Sequence, residues 1–186
     1  MYHISNDKRT RNSAELIYKG LLTCLKEKRF EQVTVSDLQR ASGVARSTFY
    51  RSFDNISDVL YWKCDLCFLE ILGSFTKEQF LNEGELVHRY FSYWAEHADI
   101  LELLLNINRQ DIIYACHRNA ARAVQEKFGK GSDLKPPTKN ERYFLSIRTG
   151  LTISILTAWL EGGRKETPAQ VVQIAQEQIA LLASNR

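Results

Sequence analysis

The sequence predicts an all-α protein, and two observations lead to that prediction. Apolar residues recur at helical spacing along most of the 186 residues, beginning with the stripe from Leu16 to Leu25. Residues that end or begin helices separate these stripes, as Gly43, the Gly162-Gly163 pair and Pro168 do. With 44% apolar residues the chain can bury a core, and its length suits a small head followed by a larger helical body.

The segment from Thr34 to Trp62 is the most informative part of the chain. Its first helix is predicted to begin at Thr34 or Ser36, whose hydroxyl can accept a hydrogen bond from an unpaired backbone N–H. The helix ends at Gly43, because glycine readily adopts the positive φ that reverses the chain. Val44 then fills the angle between the two helices. The pattern predicts Val35, Leu38 and Ala41 on the inward face and Asp37, Gln39 and Arg40 on the face toward water.

The second helix of this segment, from about Arg46 to Phe53, is short and polar. Phe49 and Phe53 are its main apolar anchors, so it buries too little surface to be present for core stability alone. Its hydroxyl and guanidinium groups are those that contact bases and phosphates when a helix lies in the DNA major groove. Two helices joined by a glycine turn present such a helix to DNA, but an ordinary helical hairpin with a solvated second helix has the same pattern.

Three stretches between Phe30 and Leu60 carry a family resemblance: F-x-x-V-T-V-x-D-L, A-S-G-V-A-R-S-T-F-Y and F-x-N-I-x-D-V-L. Together they resemble the N-terminal domain of TetR/AcrR transcriptional regulators. The resemblance implies an all-helical homodimer with a three-helix, helix-turn-helix DNA-binding head and a variable ligand-binding and dimerisation body. It places the head at residues 1–54 and the body at residues 55–186, joined by a long helix over about 55–73.

A DNA-binding head of this kind leads to a set of predicted contacts with double-stranded DNA. The residues expected near base edges are Arg46, Ser47 and Thr48. The residues expected near phosphates are Thr34, Ser36, Tyr50 and Arg51, and Ala45 completes the set.

The N-terminal region is also the basic part of the chain. Residues 1–63 hold eleven Lys and Arg against seven Asp and Glu, a balance of +4, and the remaining residues hold fourteen against fifteen, a balance of −1. This excess suits a polyanionic partner. Lys8, Arg9 and Arg11 are expected in a basic arm ahead of a first helix over Ser13–Lys28, and that arm is either a phosphate contact or a solvated terminus.

One position departs from the family pattern. Asn55 is expected to cap the fourth helix, and relatives commonly carry a Lys just after it that pairs with a DNA phosphate. This chain has Ile56 there. We expect the loss of that cation to weaken DNA binding and to lower its salt dependence by about one phosphate contact.

The body is expected to hold several helices around either a ligand cavity or a filled core. The chain is predicted to loosen over Ser74–Gly84, to form a helix over Gln110–Phe128 and to continue in a loop over residues 129–138. Aromatic walls with a few polar groups are typical of small-molecule sites. The candidate pocket residues are Tyr90, Tyr93, Trp94, Asn106, Tyr114 and His117.

Two C-terminal helices are predicted to pair and to leave an apolar outer face. They run over about Lys139–Glu161 and from Pro168 onward, and a second copy of the chain would complete a four-helix bundle. The residues predicted for this homodimer interface are Phe144, Ile147, Leu151, Ile155, Trp159, Val171, Ile174 and Ile179.

Other classes of protein are not favoured. The N-terminus has no apolar segment typical of a signal peptide, and no stretch comes near the roughly 18 apolar residues of a membrane span, so a cytoplasmic protein without a membrane partner is expected. Cys64 and Cys67 form an isolated C-x2-C pair, which favours buried thiols over a metal site. No cofactor or catalytic motif is present, so the chain is not expected to be an enzyme.

Two functions remain after these exclusions. The first is a sequence-specific transcriptional regulator, most often a repressor in this family, that is released from a palindromic operator by a small-molecule effector. The second is a helical interaction protein of the same fold that has lost operator binding, with Ile56 as the hint in its favour.

Overall fold

The computed structural model describes residues 1–5, 7–128 and 140–184, with only the backbone of residues 80, 81, 83, 141 and 183. Within these ranges the chain is all-α, as predicted, and has no β-strand. The described residues form ten α-helices: α1 (Lys8–Leu25), α2 (Val35–Ser42), α3 (Arg46–Ser52), α4 (Ile56–Gly73), α5 (Lys77–Leu81), α6 (Glu83–Glu96), α7 (Asp99–Asn106), α8 (Gln110–Phe128), α9 (Glu141–Glu161) and α10 (Pro168–Ser184). The predicted loop at 129–138 lies outside the described residues.

The N-terminal helices pack around the two phenylalanines of α3. Phe49 is 2% exposed and Phe53 is fully buried, and the Phe53 ring contacts both Phe49 and Trp62. Gly20 of α1 allows α2 to approach closely, because a Cβ at this position would lie 2.8 Å from the Cβ of Ser42. The predicted apolar anchors of α3 are therefore confirmed, and close packing fixes the helices that hold it.

Side-chain caps and one glycine fix the ends of these helices, as the sequence predicts. Thr34 accepts from the backbone N–H of Asp37 while the Asp37 carboxylate accepts from that of Thr34, and Asn55 and Asp58 form the same reciprocal box at α4. Gly43 ends α2 with a φ of +70°, in the left-handed region that favours glycine. These local predictions are confirmed.

Several local predictions are wrong. Lys8, Arg9 and Arg11 are not in an arm, because Asp7 caps α1 and the helix already begins at Lys8. Ala41 is exposed rather than inward, since the close contact of α1 and α2 is made at other positions.

Asp37 is buried rather than directed to water. Lys28 Nζ donates to its Oδ1 at 2.8 Å and the Thr34 hydroxyl to its Oδ2 at 2.8 Å. These bonds, with that from Lys28 the larger effect, hold the pKa of the Asp37 carboxyl well below its ordinary value.

The remaining helices form the body. α8 packs against both α4 and α9, and α10 packs against α6. The segment predicted to be loose contains the short helix α5, which Thr76 and Gln79 cap. Buried aromatic rings of the core meet edge to face, including Phe68 with Trp94 and Phe91 with Trp159.

One helix contradicts the expectation that no stretch has the composition of a membrane span. Residues Arg142–Glu161 are 20 residues with a mean hydropathy of 1.2, and 28% of the apolar window is buried. By length and composition this helix could cross a bilayer, but core helices of soluble proteins pass the same test.

Candidate functional site

The surface of α3 is polar over a buried aromatic base. Arg46, Ser47 and Arg51 are exposed, Tyr50 is 47% exposed and Thr48 is half-buried. These side chains are available to a partner because Phe49 and Phe53, on the opposite side of the helix, hold α3 against the core.

Arg46 and Tyr50 lie one turn apart on α3 and contact each other. Arg46 Nη2 donates to the Tyr50 hydroxyl at 3.4 Å, and the guanidinium carbon lies 5.6 Å from the centre of the Tyr50 ring. An i,i+4 pair of this kind restricts the rotamers of both side chains. It holds a cationic fork and a phenol side by side, the combination that suits a base edge next to a phosphate.

The three other predicted DNA contacts lie outside α3. Thr34 is exposed, but its hydroxyl already caps α2 through Asp37. Ser36 is exposed in the first turn of α2, and Ala45 is exposed as the residue just before α3. Lys8, Arg9 and Arg11 are exposed at the start of α1.

The N-terminal residues form a contact that the sequence did not predict. His3 N donates to Ser52 O at 2.8 Å, its ring nitrogen Nε2 lies 2.9 Å from Asp54 Oδ1, and Tyr2 pairs with Phe53 in an isolated antiparallel bridge. The Tyr2 hydroxyl donates to Asp65 of α4. Residues 2 and 3 therefore contact the C-terminal end of α3. In the sequence, the only indication of this packing is the presence of the apolar residues Tyr2 and Ile4 in a polar terminus.

Ile56, at the position where relatives carry a Lys, is half-buried in the first turn of α4 and packs against the core. The side chain thus contributes to packing at this point and offers no charge to a phosphate.

A cavity of about 590 Å³ lies between α6, α8, α9 and α10. Two of the predicted pocket residues, Tyr90 and His117, line it. Both are buried, and Tyr90 Oη and His117 Nδ1 have no hydrogen-bond partner among the described residues. Burial, and secondarily the charge of Arg148, lowers the pKa of His117 to about 4.

The other four predicted pocket residues do not line this cavity. Tyr93 donates to Glu70 on another surface at 3.2 Å, Trp94 is fully buried against Phe68, and Asn106 is exposed at the end of α7. Tyr114 lies beneath the guanidinium of Arg118. Whether each of these side chains reaches the cavity depends on which neighbouring helix its side of the helix packs against.

Arg148 lines the cavity and was missed by the sequence reasoning. A signal for it exists, because it lies on the α9 stripe between Phe144 and Leu151, four residues after the first and three before the second. A charge within an apolar helical stripe is a candidate for a functional position.

α9 and α10 expose the apolar face that was predicted. Phe144, Ile147, Leu151, Ile174 and Ile179 are all exposed, as are Tyr143, Leu181 and Leu182.

Trp159 and Val171 do not belong to that face, because both are buried within the same chain. The indole of Trp159 packs on Phe91 and donates to Glu166 O at 3.0 Å. Ile155 is half-buried and lines the cavity.

The four cysteines are free thiols. Cys64 is buried against the thiol of Cys116 on α8, and burial, followed by that contact, raises the pKa of Cys64. Buried thiols with raised pKa values are unreactive packing residues.

Arg109, in the turn between α7 and α8, connects the body with the first helices. It donates from Nη1 to Ser57 Oγ of α4 at 2.9 Å, forms two hydrogen bonds with the Asp111 carboxylate and lies over the Phe30 ring. The Asp111 bonds, as the largest effect, raise the pKa of Arg109.

Comparison with known proteins identifies the body. The family model described as the transcriptional regulator C-terminal region of the TetR family matches residues 84–180, just over half of the chain. No curated protein matches the sequence. The all-α fold and this match agree with the resemblance seen at Phe30–Leu60, and the chain belongs to the TetR family of transcriptional regulators.

Proposed function

We propose that two copies of this regulator bind a palindromic DNA operator, repress transcription and are released when a small molecule occupies the body. The observation that carries the proposal is the exposed polar surface of α3 above the buried Phe49 and Phe53. The proposed division of labour is a head at residues 1–54 and a regulatory body at 55–186. Such a repressor acts on DNA in the cytoplasm, and no step of the proposal needs a cofactor or a metal.

Each head would place α3 in a major groove. Arg46, Ser47 and Thr48 lie at the start of the helix, which is where a recognition helix reads base edges. Arg51 and the Tyr50 hydroxyl are suited to phosphates, which fix the register of the helix on the duplex. The contact between Arg46 and Tyr50 supports this arrangement, because it orders the guanidinium before DNA arrives.

The apolar face of α9 and α10 would form the homodimer interface. An exposed set of large apolar side chains costs free energy in water unless a partner covers it. A second copy carries the same face, so a two-fold axis closes a four-helix bundle. The proposed interface consists of Phe144, Ile147, Leu151, Ile174 and Ile179, with Tyr143, Leu181 and Leu182 added by their exposure.

The cavity is the proposed effector site, and its walls suggest how a ligand would act. Leu151 and Ile179 line the cavity and also belong to the proposed dimer interface. A ligand there would favour one packing of α9 and α10 over another and so change the separation of the two heads. Such a population shift requires that the ligand bind the two states with different affinity.

Selection of bound DNA from a random pool tests the proposal directly, because it measures binding, palindromy and half-site spacing together. The selected sequence is then used in gel shifts with Arg46→Ala combined with Tyr50→Ala, for which we expect no specific complex. Arg122→Ala, which removes an exposed charge from α8, is the matched control and should bind as the wild type does. Unchanged binding by the double variant would contradict the proposed readout.

Ile56 favours one second candidate, a helical interaction protein that has lost operator binding. The side chain packs on the core and supplies no phosphate contact. Binding to nonspecific duplex DNA over a range of salt concentrations separates the two functions, since a head that no longer binds DNA shows almost no salt-dependent affinity. A steep salt dependence would exclude this second candidate.

A further inference from the structure

The chemistry of the cavity between α6, α8, α9 and α10 restricts what it can bind. Its volume of about 590 Å³ falls in the range of about 300–1,000 Å³ that is typical of small-molecule sites. Most of its described walls are apolar: Leu72, Leu86, Val87, Phe91, Val124, Leu145, Leu151, Ile155, Val172 and Ile179. The larger part of a ligand that fits these walls is therefore apolar.

Two residues that line the cavity, Tyr90 and His117, each have a buried polar atom without a partner among the described residues. Tyr90 is 5% exposed and His117 is 6% exposed, and their rings meet edge to face with centres 5.8 Å apart. Burial raises the pKa of Tyr90, and the nearby indole N–H of Trp94 lowers it slightly. Neither Tyr90 Oη nor His117 Nδ1 has a partner within hydrogen-bond distance and angle among the described residues. Buried polar groups are nearly always paired in folded proteins, so these two favour a ligand that brings a polar group to this end of the cavity.

The charge of the wall points to the kind of polar group. Among the described residues that line the cavity, Arg148 is charged and the other polar residues are neutral amides, hydroxyls and the His117 imidazole. A guanidinium has five N–H donors, so Arg148 can bind an anionic group beside the contacts it already makes, and its charge disfavours a cationic group.

We propose that the cavity binds an amphipathic anion, with its carboxylate-type head group at Arg148 and the Tyr90–His117 pair and its apolar body along α6, α9 and α10. This inference rests on the proposed function in one respect, since it names the chemical class of the effector. The Tyr90 hydroxyl and His117 Nδ1, in the tautomer that carries the proton there, donate hydrogen bonds to the carboxylate head group, while Arg148 supplies the positive charge. The bound ligand thereby supplies hydrogen-bond partners to Tyr90 Oη and His117 Nδ1, which have none among the described residues.

Calorimetric titration of the full chain near pH 7 with three ten-carbon probes tests the inference. Decanoate is anionic, decanol is neutral and decylamine is cationic, and all three carry the same apolar body. We expect decanoate to bind one molecule per chain, at least about tenfold more tightly than decanol, and decylamine to bind weakest. Naphthoate repeats the test with a rigid apolar body. Failure of both anions to bind, or equal affinity for decanoate and decanol, overturns the inference.

Two variants assign the charge to its residue. Arg148→Gln should weaken decanoate binding by about tenfold or more and leave decanol binding unchanged. Arg122→Gln removes an exposed arginine of α8 outside the cavity lining and should bind decanoate as the wild type does. Equal weakening by both variants, or none by Arg148→Gln, contradicts the assignment. If Arg148→Gln does not fold, the comparison of the three probes on the wild-type chain still decides the ligand class.

Operator binding measured on the same preparations separates this inference from the proposed function. Operator binding without decanoate or naphthoate binding overturns the ligand class alone. Anion binding by a protein that selects no DNA sequence supports the ligand class and overturns the proposed function.

Discussion

The head and the body differ in whether their buried polar groups have hydrogen-bond partners. In the head, the buried carboxylate of Asp37 accepts hydrogen bonds from the Lys28 ammonium and the Thr34 hydroxyl. In the body, Tyr90, Trp94 and His117 hold buried polar atoms without partners in the described part of the chain. The comparison suggests that the head is built to keep one shape, whereas the body retains polar groups whose pairing depends on a ligand.

The largest expected effect tests the rigid side of this comparison. Phe53→Ala should lower the free energy of unfolding by about 3–5 kcal/mol, because a fully buried ring that joins α3 to α4 is replaced by a cavity. Arg51→Ala, which changes an exposed side chain of the same helix, should alter stability by no more than about 0.5 kcal/mol. Urea unfolding followed by circular dichroism measures both, and equal losses would mean that Phe53 is not the anchor of α3.

A second prediction concerns the unpaired histidine of the body. The pKa of His117 is about 4 in the folded chain and 6.5 as its ordinary value, so between these values the unfolded chain binds more protons than the folded one. Stability is therefore lost as the pH falls from about 6.5 to 4, by a total of about 3 kcal/mol from this residue. His117→Phe should remove this part of the pH dependence.

His88→Phe, at an exposed histidine of α6, is the matched control and should keep the wild-type pH dependence. Urea unfolding at several pH values gives the three curves. If His117→Phe and the wild type lose stability in parallel, the imidazole is not buried in its neutral form.

A third, smaller effect concerns the outer surface of the body. Ile147 is 63% exposed on α9 in the single chain, and Ile147→Glu should raise the dissociation constant of the proposed dimer by about 30-fold or more. Leu69→Glu introduces the same charge at a 49% exposed leucine of α4, away from the proposed interface. Sedimentation velocity over a concentration series distinguishes them. A dimer unaffected by Ile147→Glu would place the interface elsewhere.

The smallest expected effect concerns the attachment of the α7–α8 turn to α4. Arg109→Gln and Ser57→Ala, alone and together, form a double-mutant cycle for which we expect a coupling of about 0.5–1.5 kcal/mol in the free energy of unfolding. The same cycle with Arg118→Gln in place of Arg109→Gln should be additive to within about 0.5 kcal/mol. Additivity in the first cycle would mean that the hydrogen bond between α4 and the α7–α8 turn contributes nothing to stability.

The local features of the head could be predicted because each depends on neighbours in the sequence. The cap at Thr34, the turn at Gly43 and the burial of Phe49 and Phe53 follow from residues at most four positions apart. The same reasoning failed where a distant residue intervened. Asp37 was expected in water, but its carboxylate is buried and forms an ion pair with the exposed Lys28, nine positions away.

The residues that line the cavity could not all be predicted from local sequence patterns. Tyr90 and His117 were predicted in a pocket together with Trp94, yet Trp94 is fully buried against Phe68 and does not line it. Aromatic residues at similar helical spacing can face different neighbouring helices. The spacing alone does not show which helix each of them faces. Arg148 has a signal in the sequence, as a charge within the apolar stripe of α9, but the cavity that it lines forms only where α8 and α9 pack together.

For this protein, the order of residues alone predicted most of the helices, the caps at Thr34 and Asn55, the anchoring of α3 and the family to which the chain belongs. These features depend on interactions between residues within a turn or two of helix, so the local sequence is enough to predict them. The packing of distant helices decided the rest: which apolar side chains of α9 and α10 stay exposed, where the cavity opens and how Arg109 meets Ser57, 52 positions away. Those features depend on contacts between elements, and periodicity within one helix carries no information about the neighbour that it will meet.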